Sequence, residues 1–174
     1  MSEDNDNLLF GGWVVAIGTV ISALANTPSF SITPSATKDL KIIGNSLQAT
    51  GNAIQVERLT SVQLENIANE IQAIGNTTVI SSLILQLDKQ TKNALNKKGN
   101  LLQALGGSIS FSEDWNKKRT INVLYSGIGN LLQVIGNSMQ ALSTQRNNSE
   151  MEWNTIGNWI QATGALMTAI AVTI

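Results

Sequence analysis

The chain has 174 residues, enough for one domain with a sizeable core. Its formal net charge of −1 argues against nucleic acid and anionic membranes as electrostatic partners. It contains no cysteine, so disulfide and thiolate chemistry are excluded, and no histidine, the commonest general base and transition-metal ligand. Amide residues number 30 and charged residues only 23, so neutral polar groups must fill much of the surface or the interior.

The first predicted element is a helix over residues 8–25, after a flexible acidic N-terminus over residues 1–7. The run from Leu8 to Ala25 has no charge. A secretory signal begins with basic residues, whereas this terminus is acidic, so we expect no signal peptide and a cytoplasmic location by default.

Five further helices are predicted from their start signals, over residues 34–57, 61–87, 90–109, 113–144 and 149–173. Thr33-Pro34 is typical of an N-cap followed by proline in the first turn. Capping boxes start at Thr60, Ser110 and Ser149, each with glutamine or glutamate three residues later. The boundary near Asp88 has the weakest signal. We therefore expect an all-α fold, a six-helix antiparallel bundle or a helical-repeat array, with residues 8–174 as a single domain.

A glycine recurs every seven residues within these helices, most clearly at Gly129 and Gly136. A helical glycine costs about 1 kcal/mol relative to alanine, so tertiary contacts must offset it. Helices that lack a Cβ at the contact can approach more closely than the usual distance, and a period of seven keeps the glycines on one stripe. The predicted packing stripe is Gly11, Gly18, Gly44, Gly51, Gly75, Gly99, Gly106, Gly129, Gly136, Gly157 and Gly164.

An amide strip lies beside the glycines on the helical wheel, and an apolar arc that includes Ile128, Leu132 and Ile135 lies on their other side. Two interpretations stay open for the amides: a neutral outer surface facing water, or a hydrogen-bonded network buried between helices, which must be satisfied to be stabilising. The strip comprises Asn45, Gln48, Asn52, Gln55, Asn69, Gln72, Asn76, Asn100, Gln103, Asn130, Gln133, Asn137, Gln140, Asn158 and Gln161.

Catalytic patterns are missing from the sequence. No acidic pair has a spacing suited to general acid–base work, no glycine-rich phosphate loop follows a strand, and no metal-ligand cluster stands out. Glu113 and Asp114 are interpreted as first-turn acids of the fifth helix. We therefore expect a protein that is not an enzyme and that has no catalytic residues, no metal, no cofactor, no small-molecule substrate and no nucleic-acid partner.

The terminal helices raise the question of a membrane. Residues 8–25 and 153–174 are uncharged and near spanning length. Glycine stripes also pack helices within lipid. Trp13 and Trp159 are either core residues or interfacial membrane anchors.

The repeat resembles a family of small repetitive bacterial proteins of unknown function. The residues that carry the resemblance are the Ile-Gly-Asn-x-Leu-Gln-Ala-x-Gly-Asn pattern and the opening Phe10-Gly11-Gly12-Trp13. It implies an origin in spore-forming Gram-positive bacteria, and a spore-associated role, but no activity. The spacing is also similar to that of glycine-zipper proteins, some of which self-assemble and others act on membranes.

Two functional hypotheses follow. The first is a structural protein that assembles with its own copies through homotypic helix packing, as a homo-oligomer, filament or array. The alternative is a membrane-active or pore-forming amphitropic protein that uses the uncharged terminal helices.

Overall fold

A computed structural model of the protein describes residues 3–56, 63–143 and 150–174. Over these ranges the chain forms six α-helices and no strand, so the all-α prediction is confirmed. A 3-10 turn, Pro28–Phe30, lies between the first two helices. The helices are α1 (Glu3–Ala25), α2 (Pro34–Ile54), α3 (Leu64–Ile84), α4 (Lys89–Asn116), α5 (Ile121–Ser143) and α6 (Glu150–Thr173).

The six helices form a closed ring in chain order. Each helix packs against its neighbours in sequence, and α1 packs against α6; within the described ranges no helix backbone contacts another across the ring. Neighbouring helices run antiparallel. We call the end where α1, α3 and α5 begin the proximal end, and the opposite end the distal end. The arrangement is a barrel of helices, in which side chains rather than a central helix fill the axis.

Glycines bring the helices together in three hairpins: α1 with α2, α3 with α4, and α5 with α6. A Cβ placed on Gly18 would lie 2.6 Å from the carbonyl oxygen of Gly44, and one on Gly136 would lie 2.5 Å from that of Gly157. Every glycine of the predicted stripe has a backbone oxygen of its hairpin partner closer than 3.0 Å to this position. No side chain fits there, and backbones this close can form Cα–H···O contacts.

The ring closes between α1 and α6. Val15 and Ala16 of α1 pack against Ala165 and Ala169 of α6, which is the buried apolar cluster of the described chain. At the distal end Asn26 Nδ2 donates to the Asn158 side chain at 3.2 Å. Apart from Val15 and Val79, the buried apolar side chains of the described chain are all alanines. Small residues therefore line the helix contacts, and many large apolar side chains are exposed instead.

Two helix starts follow directly from local sequence. The Thr33 hydroxyl accepts a hydrogen bond from Ala36 N at 3.3 Å, with Pro34 in the first turn. Asp88 caps α4 by accepting from Thr91 N at 2.9 Å and from the Thr91 hydroxyl at 2.6 Å. These bonds from Thr91 lower the pKa of the exposed Asp88 carboxyl below its usual value.

Several predicted boundaries are wrong. The box at Ser110 starts no helix, because α4 continues through it to Asn116. Instead α5 begins at Ile121, after Thr120, whose hydroxyl accepts from Val123 N at 3.3 Å. Helix α1 already begins at Glu3, within the segment expected to be a flexible terminus, α2 ends at residue 54 rather than 57, and α3 at 84 rather than 87. The boxes at residues 60 and 149 begin outside the described residues.

Candidate functional site: an amide-lined lumen

The ring encloses a polar interior, which we call the lumen. Every amide of the strip is buried, except Gln55, which is half-buried. The largest fully buried side chains of the described chain are Asn76, Asn137, Asn158 and Thr19. Of the two interpretations of the amide strip, the structure thus corresponds to the buried one. This pattern of burial is the reverse of that in an ordinary protein core, in which apolar side chains are the most buried.

Two recesses occupy the lumen, one towards each end, and each is lined by side chains of all six helices. The distal recess has a volume of about 70 Å³ and the proximal recess about 110 Å³. Both exceed the space that one water molecule requires. The distal recess is lined chiefly by Ser22, Lys41, Asn45, Gln48, Asn100, Gln103, Gln140, Asn158 and Gln161. The proximal recess is lined chiefly by Asn52, Gln55, Glu65, Asn69, Gln72, Ser110, Ser126, Asn130, Gln133 and Thr168.

A cluster of four glutamines crosses the ring on the inner side of the distal recess. Gln140 Nε2 donates to Gln161 Oε1 at 2.8 Å. Gln161 Nε2 donates in turn to Gln48 Oε1 at 3.0 Å and to Gln103 Oε1 at 3.2 Å. The bonds from Gln161 join α6 to α2 and α4, which are not its neighbours in the ring. We call these residues the glutamine cluster; in it, side chains of helices that are not neighbours in the ring contact each other.

Two asparagines between the recesses have unpaired polar atoms. Asn76 Oδ1 and both side-chain polar atoms of Asn137 are buried and have no hydrogen-bond partner among the described residues. Along α5, Asn137 lies between Gln133 of the proximal recess and Gln140 of the distal recess. Burying an unpaired amide costs about 1–3 kcal/mol. These residues therefore hold hydrogen-bonding capacity that the described part of the chain leaves unused.

A buried carboxylate, which sequence reasoning missed, lies beside the proximal recess. Asp114 is 7% exposed and accepts from Ser126 Oγ at 2.7 Å and Asn130 Nδ2 at 2.9 Å. Lys117 Nζ lies 3.4 Å from both Asp114 and Glu65. Interpreting Glu113 and Asp114 as first-turn acids of the fifth helix was wrong, because both belong to the last turn of α4. The sequence signal for the start of α5 is Thr120, because its hydroxyl caps the helix just after the basic run of residues 117–119.

Burial and charge act in opposite directions on Lys117. Burial lowers the pKa of its ammonium group, whereas the carboxylates of Glu65 and Asp114 raise it, and the balance lies above the ordinary 10.5. The proximal mouth thus holds two carboxylates and one ammonium group. The distal recess has the opposite character, since Lys41 is the charged side chain that lines it.

The outer face of the ring carries the large apolar residues. The residue before a repeat glycine is an isoleucine on five of the six helices, exposed by 41% to 57%. These isoleucines are Ile17, Ile43, Ile74, Ile128, Ile135 and Ile156. The apolar arc of the repeat therefore points outward while its amide strip points inward.

Trp13 and Trp159 also lie on the outer face, at opposite ends, rather than in the interior. They are 36% and 39% exposed. Trp13 Nε1 donates to the hydroxyl of Thr173, at the proximal end of α6, at 3.3 Å. Trp159 Nε1 donates to the hydroxyl of Thr27, just after α1, at 2.9 Å. Their apolar rings thus face outward while their polar groups bond at the two ends of the terminal helices.

A family model described as a family of unknown function (DUF6944) matches residues 6–169, so the chain belongs to that family. No curated protein and no solved structure matches the chain. The family description specifies neither an activity nor a source, so the origin in spore-forming bacteria stays a prediction. Membership therefore leaves function to be argued from geometry.

Proposed function

We propose that this member of a family of unknown function is a membrane-embedded helical barrel, whose apolar outer face contacts lipid and whose amides face the lumen. The observation that carries the proposal is the inverted radial polarity. Asn76, Asn137 and Asn158 are at most 2% exposed, whereas Ile74, Ile135 and Ile156 on the same helices are 41% to 57% exposed. In water this arrangement would leave the hydrophobic effect largely unused. In lipid it places the exposed isoleucines in the apolar phase and the buried amides in the polar lumen.

The backbone and the helix contacts also suit a bilayer. Within hydrocarbon every backbone polar group needs an internal partner, which continuous helices supply. Helices in lipid associate through small residues and interhelical hydrogen bonds rather than through apolar side chains. The glycine hairpins and the glutamine cluster provide these two kinds of contact.

The charged and aromatic residues lie towards the two ends of the barrel. The longest uncharged stretches in the helices include all of α5 and residues 153–173 of α6. Most aromatic side chains lie towards the ends of their helices, where membrane proteins concentrate tryptophan and tyrosine. Trp13 and Trp159 lie near the middle of α1 and α6, but each donates to a threonine at the end of the neighbouring terminal helix. Towards the proximal end the aromatic residues are Phe10, Trp13, Phe111, Trp115 and Tyr125, and towards the distal end Phe30, Trp153 and Trp159.

Mean hydropathy identifies only one of the helices as a candidate span. Within the described residues, Asn5–Ala25 is long and apolar enough to cross a membrane, a test that the core helix of a soluble protein also passes. The other helices carry amides that lower their average hydropathy. Because those amides face the lumen, an average over all faces understates how apolar the outer face is.

The uncharged band is thinner than a typical bilayer core. Its shortest stretch, residues 99–112 of α4, spans 14 residues or about 21 Å, against about 30 Å of hydrocarbon. Lys97 and Lys98 can extend their ammonium groups towards the headgroups, and the bilayer can thin locally. We therefore expect the protein to insert more completely into dimyristoyl than into dierucoyl phosphatidylcholine vesicles, measured by flotation. Equal insertion in both lipids would contradict the thin-band geometry.

Resistance to extraction tests the proposal directly. The chain, expressed in a bacterial host, is expected in the membrane fraction after an alkaline carbonate wash. Leu131→Lys adds a charge to the outer face midway along α5 and should release the protein, since lysine at a span centre costs about 3 kcal/mol. Ser29→Lys adds the same charge in the exposed α1–α2 connection and should change nothing. Wild-type protein that stays soluble and monodisperse without detergent would overturn the proposal.

A second candidate is homotypic assembly, and the observation that favours it is the periodicity of the outer face. Isoleucines recur at one repeat position on five helices, so the outer faces of two copies present the same pattern and can pack in register. This candidate predicts large particles in detergent-free, lipid-free buffer, seen by light scattering and negative-stain microscopy. Membrane embedding instead predicts aggregation on detergent removal and discrete particles when lipid is supplied.

A further inference from the structure

We propose that the lumen conducts water and uncharged hydrogen-bonding solutes of a few heavy atoms, such as urea and glycerol, and that the glutamine cluster is its constriction. The inference rests on the proposed function, because a conduit needs a membrane to cross. It is carried by four observations: the closed ring, recesses at both ends, amide walls between them and unpaired amide atoms along the way.

The recesses lie on one axis. Each is lined from all six helices, so both lie inside the ring rather than between two neighbouring helices. The four members of the glutamine cluster all line the distal recess. Further along the same helices the proximal recess is lined by amides of α2 and α5, by Ser110 of α4 and by Thr168 of α6. On α5, for example, Gln140 belongs to the distal recess and Gln133 to the proximal recess. The cluster is therefore the barrier that a solute meets between the two recesses.

Glutamine side chains can open this barrier without backbone movement. The cluster consists of hydrogen bonds of 2.8 to 3.2 Å between neutral amides, and each such bond contributes little net stability. A solute with donors and acceptors can replace such bonds one by one. The unpaired amide of Asn137, between the recesses, offers a donor and an acceptor beyond the constriction. An apolar solute has no such replacement to offer, so the path favours polar molecules.

The charges at the two mouths select against ions. Lys41 lines the distal recess and repels cations. At the proximal end the Glu65 carboxylate lines the recess and repels anions. Asp114 accepts hydrogen bonds from two residues of the recess wall, and Lys117 lies 3.4 Å from both carboxylates. Between the mouths an ion would exchange its hydration shell for neutral amides and hydroxyls, at a large cost. A neutral solute meets neither barrier.

Reconstituted liposomes provide the test. The purified full chain is inserted into vesicles, insertion is verified by flotation, and osmotic shrinkage and reswelling in urea and glycerol are followed by stopped-flow light scattering. Wild-type vesicles should exchange water and urea faster than empty ones. Gln161→Ala should raise the flux about tenfold further, the factor expected when hydrogen bonds that close the path are lost.

Two more variants complete the experiment. Asn137→Leu replaces the unpaired amide by an apolar group of similar volume and should reduce the flux towards that of empty vesicles. Thr163→Leu, on the exposed face of α6 two residues from Gln161, should leave the flux unchanged. Potassium and chloride leakage should match empty vesicles throughout.

The possible outcomes separate the two proposals. If wild-type and Gln161→Ala proteins both float with the vesicles but exchange solutes no faster than empty ones, the conduit is overturned and membrane embedding stands. Leakage of ions with the solutes would overturn the selectivity for neutral molecules. A chain that never floats would overturn the proposed function, and the conduit with it.

Discussion

The contacts inside the hairpins and the contacts between hairpins are built differently, although both join antiparallel neighbours in one ring. Inside a hairpin, a Cβ on Gly136 would lie 2.5 Å from a backbone oxygen and 2.6 Å from a backbone nitrogen. Between hairpins, a Cβ on Gly12 would meet nothing nearer than the Ala169 Cα at 3.7 Å, an ordinary contact. The backbone itself therefore forms the first kind of interface, whereas side chains form the second.

This difference identifies the hairpin as the structural unit of the chain. The glycines with a period of seven all belong to hairpin interiors, and Gly12, Gly107 and Gly127, outside that period, lie at contacts between hairpins. Between α4 and α5, side-chain hydrogen bonds contribute to the contact: Asp114 accepts from Ser126 and Asn130. Three closely packed pairs of helices are therefore joined to each other through side-chain contacts.

The largest expected difference in stability is between a glycine-to-alanine change inside a hairpin and the same change between hairpins. Gly136→Ala should destabilise by about 3 kcal/mol, because two backbones must move apart. Gly12→Ala should stabilise by up to about 1 kcal/mol, since alanine is the better helix former and finds room. Thermal unfolding in mild detergent measures both. Equal effects of the two substitutions would show that the hairpins are no more tightly packed than the rest of the ring.

The second comparison uses two asparagines at the same repeat position of α5. Asn130 donates to the buried Asp114 across a contact between hairpins, whereas the Asn137 side chain has no hydrogen-bond partner among the described residues. Asn130→Leu should destabilise by about 2 kcal/mol, because it leaves a buried carboxylate short of a donor. Asn137→Leu should be neutral or stabilise by about 1 kcal/mol, because it removes an unsatisfied amide. If chemical denaturation in detergent ranks them the other way, the assignment of hydrogen bonds in the lumen is wrong.

Local signals predicted much of the fold. Thr33 and Pro34 predict a helix that begins at residue 34, and α2 begins there. The failure at Ser110 has a physical cause: the capping box fits the local pattern, but this serine lines the proximal recess, and packing of α4 around the lumen extends the helix past it. Capping strength is about 1 kcal/mol, which tertiary contacts easily override.

The lumen could not be predicted with the same ease. The helical wheel placed amides on one flank of Gly129 and apolar residues on the other, but a wheel does not say which flank faces inward. The ordinary rule of apolar interiors would have turned each helix the wrong way. The packing of α1 against α6 could not be predicted from the sequence either, because it depends on contacts such as that of Asn26 with Asn158, 132 residues apart.

The smallest expected effect concerns Lys117, which bridges Glu65 of α3 and Asp114 of α4 and so adds a polar contact to a glycine hairpin. Its folded-state pKa lies above the ordinary 10.5, so the pair contributes its full stability below that pH and loses it as pH rises through the raised pKa. Because the lysine is 42% exposed, the contribution should be small. Unfolding midpoints compared just below and well above pH 10.5 should fall more for wild type than for Lys117→Met. Since both chains share the remaining lysines and the tyrosine, their difference isolates this one bridge. Parallel falls would mean that the glycine contacts alone hold α3 to α4 at the proximal end.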